Sequence, residues 1–152
     1  MADKTEANAR VGSTIGGKYL LKSVLGVGGV GAVYAAENTW TQRPVALKLL
    51  HEDHARSTEV VERFMQEARL ASQLRHPNIV DVLDMGREAP DGAPFIVQEL
   101  LHGNDLRALI DASGRLDVAA AVDIALPLMG ALALAHRRGV VHRDIKPENV
   151  YL

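Results

Sequence analysis

The chain has 152 residues, of which 47% are hydrophobic and 24% are charged, and its formal net charge is −2. This composition predicts one soluble globular domain, and the balanced charge argues against nucleic acid or an anionic membrane as the main partner. The sequence contains no cysteine, which excludes disulfides and thiolate chemistry and is compatible with a reducing compartment.

The first part of the chain predicts a leader and then an antiparallel sheet. Residues 1–17 lack the apolar segment of a signal peptide, so we expect a disordered leader and a cytoplasmic location. Three β-type runs follow, at Tyr19–Gly26, Ala32–Glu37 and Val45–Leu50. A glycine cluster and a polar turn connect them, and both are too short to hold a helix, which predicts a meander.

The middle of the chain predicts one helix and two more strands. The helix extends from about Thr58 to Leu74 and is followed by a breaker at residues 76–78. Two apolar runs, Ile79–Met85 and Phe95–Leu100, flank a turn rich in proline at residues 89–94. These segments complete a predicted sheet of five strands with one inserted helix.

The last third of the chain predicts two helices, Asn104–Ala112 and Asp117–Arg138. Asp117 is a plausible N-cap, and Gly139 follows a last turn that contains cations. Pro127 predicts a kink in the second helix. The fold class is therefore α+β, with a small lobe over about 18–98, a hinge over about 99–103 and the start of a helical lobe over about 104–152.

Residues 118–135 are apolar enough to suggest a membrane span. A central Asp123 costs about 2.5–3.5 kcal/mol on insertion scales, and this alanine-rich segment offsets such a cost poorly. We therefore interpret the segment as a buried helix of a soluble domain.

The glycine cluster, residues 26–31, predicts close approach of the backbone to phosphate oxygens, although a plain hairpin turn explains glycines equally well. The same residues satisfy the dinucleotide pattern G-x-G-x-x-G, with Glu52 and Asp53 near the position of its ribose-binding acid. That pattern requires a helix after Gly31, where the sequence predicts a strand. Residues 12–18 imitate a phosphate-binding loop, but Tyr19 replaces its Ser or Thr.

Lys48 and Glu67 are charged residues in apolar surroundings. Strand alternation places Val45 and Leu47 on one face and Lys48 on the other. In the helix, a stripe that contains Val60, Phe64, Ala71 and Leu74 includes Glu67 near its middle. Because a buried carboxylate is costly without a partner, we predict a Lys48–Glu67 ion pair.

Residues 142–149 read His-Arg-Asp-Ile-Lys-Pro-Glu-Asn and resemble the protein kinase catalytic loop H-R-D-x-x-x-x-N. A glycine loop, a V-A-x-K strand and a helix glutamate precede it in the order typical of that family. The chain from Tyr19 to Leu152 thus resembles the first half of a bacterial-type serine/threonine protein kinase domain.

This resemblance implies ATP-dependent phosphorylation of serine or threonine in a protein substrate, with Mg²⁺ as cofactor. Asp144 would orient the hydroxyl and accept its proton, Lys146 would offset phosphoryl charge and Asn149 would bind the metal. Lys48 would hold the phosphates and Glu67 would position it, and Gln98 would be the gatekeeper. The nucleotide-binding residues implied by the resemblance are Leu25, Gly26, Val27, Gly28, Gly29, Val30, Gly31, Ala32, Val33, Ala46, Lys48, Glu99 and Leu101.

The sequence departs from the family pattern after Asn149, because no Asp-Phe-Gly follows. We therefore expect the isolated 152-residue chain to be inactive. The alternatives are a non-catalytic ATP-binding or protein-interaction fragment and, as the least favoured, a dinucleotide-dependent oxidoreductase. His51 and His54 are three residues apart without a further ligand, and we interpret them as solvated residues of a connection.

Overall fold

The computed structural model describes residues 4–88 and 92–152. The chain divides into two compact units: the first extends to Gln73 and resumes over Val80–Leu100, and the second comprises Leu74–Ile79 and Leu101–Leu152. The boundary at residues 100 and 101 falls within the predicted hinge. Of the turn predicted at residues 89–94, residues 89–91 lie outside the described part of the chain.

The first unit is built on a six-stranded sheet in the order β1-β2-β3-β4-β6-β5, and every pair of neighbouring strands is antiparallel. The strands are β1 (Thr14–Ile15), β2 (Tyr19–Val27), β3 (Gly31–Asn38), β4 (Pro44–Leu50), β5 (Val82–Arg87) and β6 (Pro94–Glu99). The meander and the two later strands are confirmed. Strand β5 begins three residues and ends two residues later than its predicted run, and β6 is shifted by one residue.

The two faces of the sheet are buried to different degrees. Val45, Leu47 and Leu49 of β4 are buried in a cluster that also contains Tyr34 and Val97. The alternate residues of the same strand, at positions 46 and 48, are only half-buried. The predicted alternation along β4 is therefore confirmed. The turn between β3 and β4 carries Trp40, whose side chain is 82% exposed.

The prediction of a disordered leader is wrong for the described residues of that segment. Helix α1 (Lys4–Ala9) and strand β1 precede β2, and Ala7 and Ile15 are buried in the sheet cluster. Arg10 forms ion pairs with Glu88 and, at 3.5 Å, with Glu52. These anchors are single residues in a polar stretch, so the hydrophobic pattern does not reveal them. They also explain why the sheet has six strands instead of five.

Helices α2 (Glu52–Ala55) and α3 (Thr58–Ser72) connect β4 to β5. The Ser57 side chain caps α3 by accepting a hydrogen bond from the Val60 N–H. The residues of α3 that are buried against the sheet are Val61, Phe64 and Ala68, which join Leu50 and Ile96 in a second cluster. This face differs from the predicted stripe, which shares only Phe64 with it.

The Asp84 carboxylate of β5 links this edge strand to the start of β2, which is not its neighbour in the sheet. The Tyr19 hydroxyl donates to Asp84 Oδ2 at 2.6 Å, and Lys18 Nζ lies 2.7 Å from the same oxygen. Burial alone would raise the pKa of the Asp84 carboxyl, but hydrogen bonds from Lys18, from Tyr19 and from the Met85 N–H outweigh it and lower the pKa. The sheet therefore curls so that β2 and β5 are linked through side chains.

The second unit contains α4 (Leu106–Ser113), α5 (Val118–Arg137) and a 3₁₀ turn at Pro147–Asn149. Asp105 and Asp117 cap the two helices, at 2.7 Å to the Ala108 N–H and 2.8 Å to the Ala120 N–H. The predicted N-cap Asp117 is confirmed, and Gly139 follows α5 with φ +75°. Helix α5 continues through Pro127 as one element, and the kink at this residue stays a prediction.

Helix α5 is mostly exposed, so the expectation of a buried helix is not met within this chain. Among its residues only Ala131 and Ala135 are buried, while Val118 and Leu126 are 81% and 61% exposed. The helix is long and apolar enough to cross a membrane by length and composition, with mean hydropathy 2.1 and 11% of its apolar window buried. A helix packed inside a soluble protein passes the same test.

Candidate active site

The glycine cluster forms the turn between β2 and β3. A Cβ on Gly31 would collide with the backbone oxygen of Leu49, so the approach of β4 requires glycine at this position. At Gly26 and Gly29 a Cβ would meet no described atom within 4 Å, and neither residue has a positive φ. The hairpin itself therefore explains Gly31 but leaves the glycines at 26 and 29 without a structural requirement.

The strand after this turn excludes the dinucleotide interpretation. Residues Gly31–Asn38 form β3, where the dinucleotide pattern requires a helix. Lys18, the lysine of the imitated phosphate-binding loop, is paired with Asp84. Both alternatives drawn from glycine patterns are therefore removed by the local structure.

One face of three neighbouring strands collects the predicted nucleotide-binding side chains. Val33 lies opposite Lys48, and Ala46 lies opposite Gln98, and directly opposed residues of antiparallel strands share a face. All four side chains are half-buried. Ala32 is different, because its side chain lies in the core cluster on the other face. The structure thus brings Val33, Ala46, Lys48 and Gln98 together and leaves only the backbone of Ala32 for a ligand.

The remaining predicted nucleotide-binding residues lie at the two ends of this face. Leu25 and Val30 are 54% and 44% exposed beside the glycine turn, and Val27 ends β2 half-buried. At the end of β6, the Glu99 side chain accepts from the Asp81 backbone N–H at 2.8 Å. The Glu99 backbone N–H donates to the Asp81 backbone oxygen at 3.1 Å. Leu101 belongs to the second unit.

The predicted Lys48–Glu67 ion pair is absent from the structure of residues 4–88 and 92–152. Lys48 Nζ instead lies 5.6 Å from the centre of the Phe64 ring, and Glu67 is exposed. Glu67 follows Phe64 by three residues, which places it about 60° around the helix on the side away from Val61 and Ala68. The predicted stripe includes Val60 and Ala71, and it therefore puts the buried face of α3 too far toward Glu67.

His51 and His54 contact the glycine turn, so the interpretation of both as solvated residues of a connection is wrong. His51 Nε2 lies 3.0 Å from the Gly28 oxygen, and His54 Nε2 lies 2.9 Å from the Gly29 oxygen. The only sequence signal for this contact is their spacing of three residues, which puts both rings on one side of a helical turn. The four-residue helix α2 that places them was not predicted.

In the second unit, the motif at residues 142–149 brings three functional side chains together. Asn149 Nδ2 donates to Asp144 Oδ2 at 3.0 Å and to the Asp144 backbone oxygen at 2.9 Å. Lys146 Nζ lies 3.0 Å from the same carboxylate oxygen. A carboxylate, a cation and an amide therefore share one exposed loop, with the second carboxylate oxygen of Asp144 not engaged by either partner.

The electrostatics of this loop favour an ionised Asp144. Hydrogen bonds from Lys146 and then from Asn149 hold the pKa of the Asp144 carboxyl below its ordinary value, and burial opposes them only weakly. The carboxylate therefore stays charged at neutral pH and functions as a hydrogen-bond acceptor.

The backbone gives this loop a fixed shape. Arg143 has φ +64°, a left-handed conformation that is unusual for a residue with a side chain. Beyond the loop, the Val150 oxygen accepts from the Leu106 N–H at 2.7 Å, and the Leu152 N–H donates to the Asn104 oxygen at 3.0 Å. The catalytic-loop motif is thus tied to the segment that begins α4.

The donor atoms of the loop suit a hard cation. Magnesium prefers oxygen ligands in octahedral geometry and is usually bound through one or two protein groups plus phosphates. Because Nδ2 of Asn149 is oriented toward Asp144, its Oδ1 is the atom left for a metal. Within residues 4–88 and 92–152 no group of three or more His, Cys, Asp or Glu side chains is placed to hold a metal alone. The residues fit Mg²⁺ that is bound together with a phosphate ligand.

Comparison with known proteins places the whole described site in one family of sequences. A family model for the protein kinase domain matches residues 19–152. The serine/threonine-protein kinase PrkC of Bacillus subtilis is 42% identical over 142 residues, which cover 93% of this chain and 22% of that protein. Serine/threonine-protein kinase PknA of Mycobacterium tuberculosis is 37% identical over 146 residues, which cover 94% of this chain and 34% of that protein.

Solved structures agree with these relatives. The crystal structure of the Mycobacterium tuberculosis PknI kinase domain matches with a TM-score of 0.78 and 32% identity, and covers 93% of this chain and 58% of that chain. The present chain thus spans about a fifth to a third of the length of these curated relatives and just over half of the crystallised domain.

Proposed function

Since this chain belongs to the protein kinase family, we propose that it supplies the ATP-binding sheet and the catalytic loop of a serine/threonine protein kinase. The observation that carries this proposal is the constellation of Asp144, Lys146 and Asn149, joined by contacts of 3.0 Å. The relatives that it resembles over nine-tenths of its length are serine/threonine kinases.

The proposed reaction moves the terminal phosphoryl group of ATP to a serine or threonine hydroxyl of a protein substrate. The bond between the γ-phosphorus and the bridging oxygen breaks, a bond to the hydroxyl oxygen forms, and ADP leaves. Asp144 accepts a hydrogen bond from the hydroxyl and receives its proton. A carboxylate of lowered pKa is a weak base, which suits a transition state that needs orientation more than deprotonation.

Lys146 and Asn149 have separate parts in this proposal. The Lys146 ammonium next to Asp144 offsets negative charge on the phosphoryl group in flight. Asn149 holds Asp144 with its amide nitrogen, and its amide oxygen would bind Mg²⁺. The metal, when bound, neutralises charge on the phosphate oxygens.

The nucleotide side is supported by the glycine turn and by the face that carries Lys48. Glycines at 26 and 29, which the hairpin does not require, leave room for phosphate oxygens against the backbone. Val33 and Ala46 provide apolar side chains on the same face as Lys48. Lys48 is the cation of this face and is the residue that would bind the α- and β-phosphates.

We infer further that the 152 residues alone do not catalyse phosphoryl transfer, because they contain no Asp-Phe-Gly and therefore lack a second protein ligand for the metal. In this form the chain is an ATP-binding fragment. A role as a protein-interaction module without nucleotide binding is the second candidate, and it is favoured by the exposed apolar residues of α5.

The matched family model extends across α5, which supports a place for this helix in the helical part of a kinase domain instead of in a membrane. Asp123 in the middle of the helix favours the same assignment. A cytoplasmic location, where ATP is abundant, accords with this proposal and with the absence of cysteine.

The proposal is tested by a thermal-shift titration with ATP and Mg²⁺, and separately with NAD, on the wild type and on Lys48→Ala. We expect stabilisation by ATP that weakens in Lys48→Ala, and no response to NAD. A cooperative melt that no nucleotide shifts would favour the interaction module instead. Phosphorylation of a generic protein substrate that depends on Asp144 would overturn the inference that this chain alone is inactive.

A further inference from the structure

Three consecutive carbonyl groups of the glycine turn accept hydrogen bonds from the connection after β4. The Gly28 and Gly29 oxygens accept from the rings of His51 and His54, at 3.0 Å and 2.9 Å. The Val30 oxygen accepts from the backbone N–H of His51 at 3.1 Å. The turn is therefore held on one side by two histidines of a single short segment.

The bonding partner fixes the protonation of each ring. A carbonyl oxygen only accepts hydrogen bonds, so each imidazole carries its proton on Nε2. The neutral Nε2–H tautomer and the imidazolium both satisfy this requirement. Both rings are half-buried, with their centres 6.5 Å apart.

The orientation of these carbonyls determines the direction of the N–H groups in the turn. All described peptide bonds of the chain are trans, and in a trans peptide the N–H points opposite to the preceding carbonyl. The N–H groups of Gly29 and Val30 are therefore directed away from the histidines. Within the described part of the chain, neither N–H donates a hydrogen bond.

We propose that His51 and His54 are positioning residues for phosphate binding, because they hold the peptide planes of the glycine turn with two N–H donors aimed at the phosphates of ATP. This inference rests on the proposed function. The ring of each histidine never contacts the nucleotide in this arrangement. Its contribution is to reduce the conformational freedom that a glycine-rich turn would otherwise lose on binding.

The segment that carries the histidines has its own support. The His51 oxygen accepts from the N–H groups of His54 and Ala55, each at 3.0 Å, which holds the backbone from which the two rings extend. Glu52 of the same segment lies 3.5 Å from Arg10. His51 and His54, which clamp the glycine turn, are thus part of the folded first unit and not of a free loop.

The test measures binding of Mg²⁺–ATP and of adenosine to the 152-residue chain by calorimetry. The double variant His51→Phe/His54→Phe keeps two rings and removes both donors. The pair His51→Gln/His54→Gln restores amide donors, and His136→Phe, at an exposed histidine, is the matched control. Adenosine reports whether the base-binding face is intact, since it carries no phosphate.

We expect the double phenylalanine variant to bind ATP roughly tenfold more weakly, the effect of two lost hydrogen bonds, with adenosine affinity changed by less than about twofold. The glutamine pair recovers at least part of the loss, and His136→Phe has no effect. In the nucleotide-free chain, ¹⁵N heteronuclear NOE values at Gly29 and Val30 fall in the phenylalanine variant.

Unchanged ATP affinity in the phenylalanine variant would overturn this proposal alone, as would equal losses for ATP and adenosine, which indicate a general folding defect. Unchanged NOE values would show that the rings do not hold the turn. A wild type that binds neither ligand would overturn the proposed function together with this inference, so the two failures are distinguishable.

Discussion

Two parts of the proposed site are assembled from residues at very different separations along the chain. One is the loop at residues 142–149, and the other is the sheet face that carries Val33, Lys48 and Gln98. Asp144, Lys146 and Asn149 lie within six positions of sequence, and their contacts form inside one loop. Val33, Lys48 and Gln98 come from three strands, and only the register of the sheet makes them neighbours. The loop is a local structure, and the face depends on the packed core beneath it.

This difference explains why the loop contacts are present while the predicted Lys48–Glu67 pair is not. Bonds between residues two and five positions apart need little more than the correct turn. The Lys48–Glu67 pair needs the rotation of α3 on the sheet to be correct, and that rotation is set by Val61, Phe64 and Ala68. The proposed function would require the lysine–glutamate pair to be in place, and the observed rotation of α3 does not form it.

The largest expected effect separates the two regions directly. Leu47→Ala removes a side chain that is 0% exposed at the centre of the sheet, and we expect the free energy of unfolding to fall by about 2–5 kcal/mol. Stabilisation by ATP should weaken with it, while the pKa of Asp144, followed by ¹³C NMR, should not change. Leu126→Ala, at a position 61% exposed, is the control. A shifted Asp144 pKa in Leu47→Ala would show that the loop is not local.

A second prediction separates the glycine that the fold requires, Gly31, from one that we assign to ligand binding, Gly29. Gly31→Ala places a Cβ against the backbone oxygen of Leu49, and we expect a loss of about 1–3 kcal/mol in unfolding free energy. The Cβ of Gly29→Ala points into open space and should change the free energy of unfolding by less than about 0.5 kcal/mol. The same variant should nevertheless weaken ATP binding. Chemical denaturation and calorimetry measure the two quantities. Equal stability of the two variants would contradict this assignment.

A smaller effect concerns the carboxylate that closes the sheet. Tyr19→Phe removes the hydroxyl that donates to Asp84, and we expect a loss of about 1 kcal/mol, since Asp84 remains 32% exposed. Because the pKa of Asp84 is lowered in the folded state, its contribution is complete above the ordinary carboxyl pKa and is lost as pH falls through the lower, folded-state pKa. Urea unfolding at several acidic pH values should show a shallower loss in Tyr19→Phe than in the wild type.

The smallest expected effect tests the loop alone. Lys146→Ala removes the main cause of the lowered pKa of Asp144, so we expect that pKa to rise toward the ordinary value of an aspartate. Lys146→Arg keeps the cation and should keep most of the shift. Thermal stability should be the same in all three proteins because both side chains are exposed. If Lys146→Ala leaves the pKa unchanged, Asn149 alone organises the carboxylate.

The sequence sufficed for features whose signals are short or periodic. Alternation predicted which face of β4 is buried, and capping residues predicted where α5 begins. The resemblance of residues 142–149 to a kinase catalytic loop singled out Asp144, Lys146 and Asn149, but the sequence did not predict the contacts among them.

Features that depend on single anchors or on packing were missed. Ala7 and Ile15 tether a polar segment through one side chain each, which no hydrophobic pattern reveals. The clamp by His51 and His54 depends on a four-residue helix, too short for a periodic signal. The exposure of α5 depends on what packs against the helix, and this cannot be deduced from the amino-acid composition of the helix itself.

The chain contains one tryptophan, Trp40, which lies on the β3–β4 turn with its side chain 82% exposed. We therefore expect its emission in the folded protein to resemble that of an indole in water and to change little on unfolding. Tryptophan fluorescence should therefore respond weakly to unfolding even where the sheet unfolds cooperatively. Melting and titration experiments on it should instead be followed by circular dichroism, and Trp40 is a ready optical label for whatever binds at that turn.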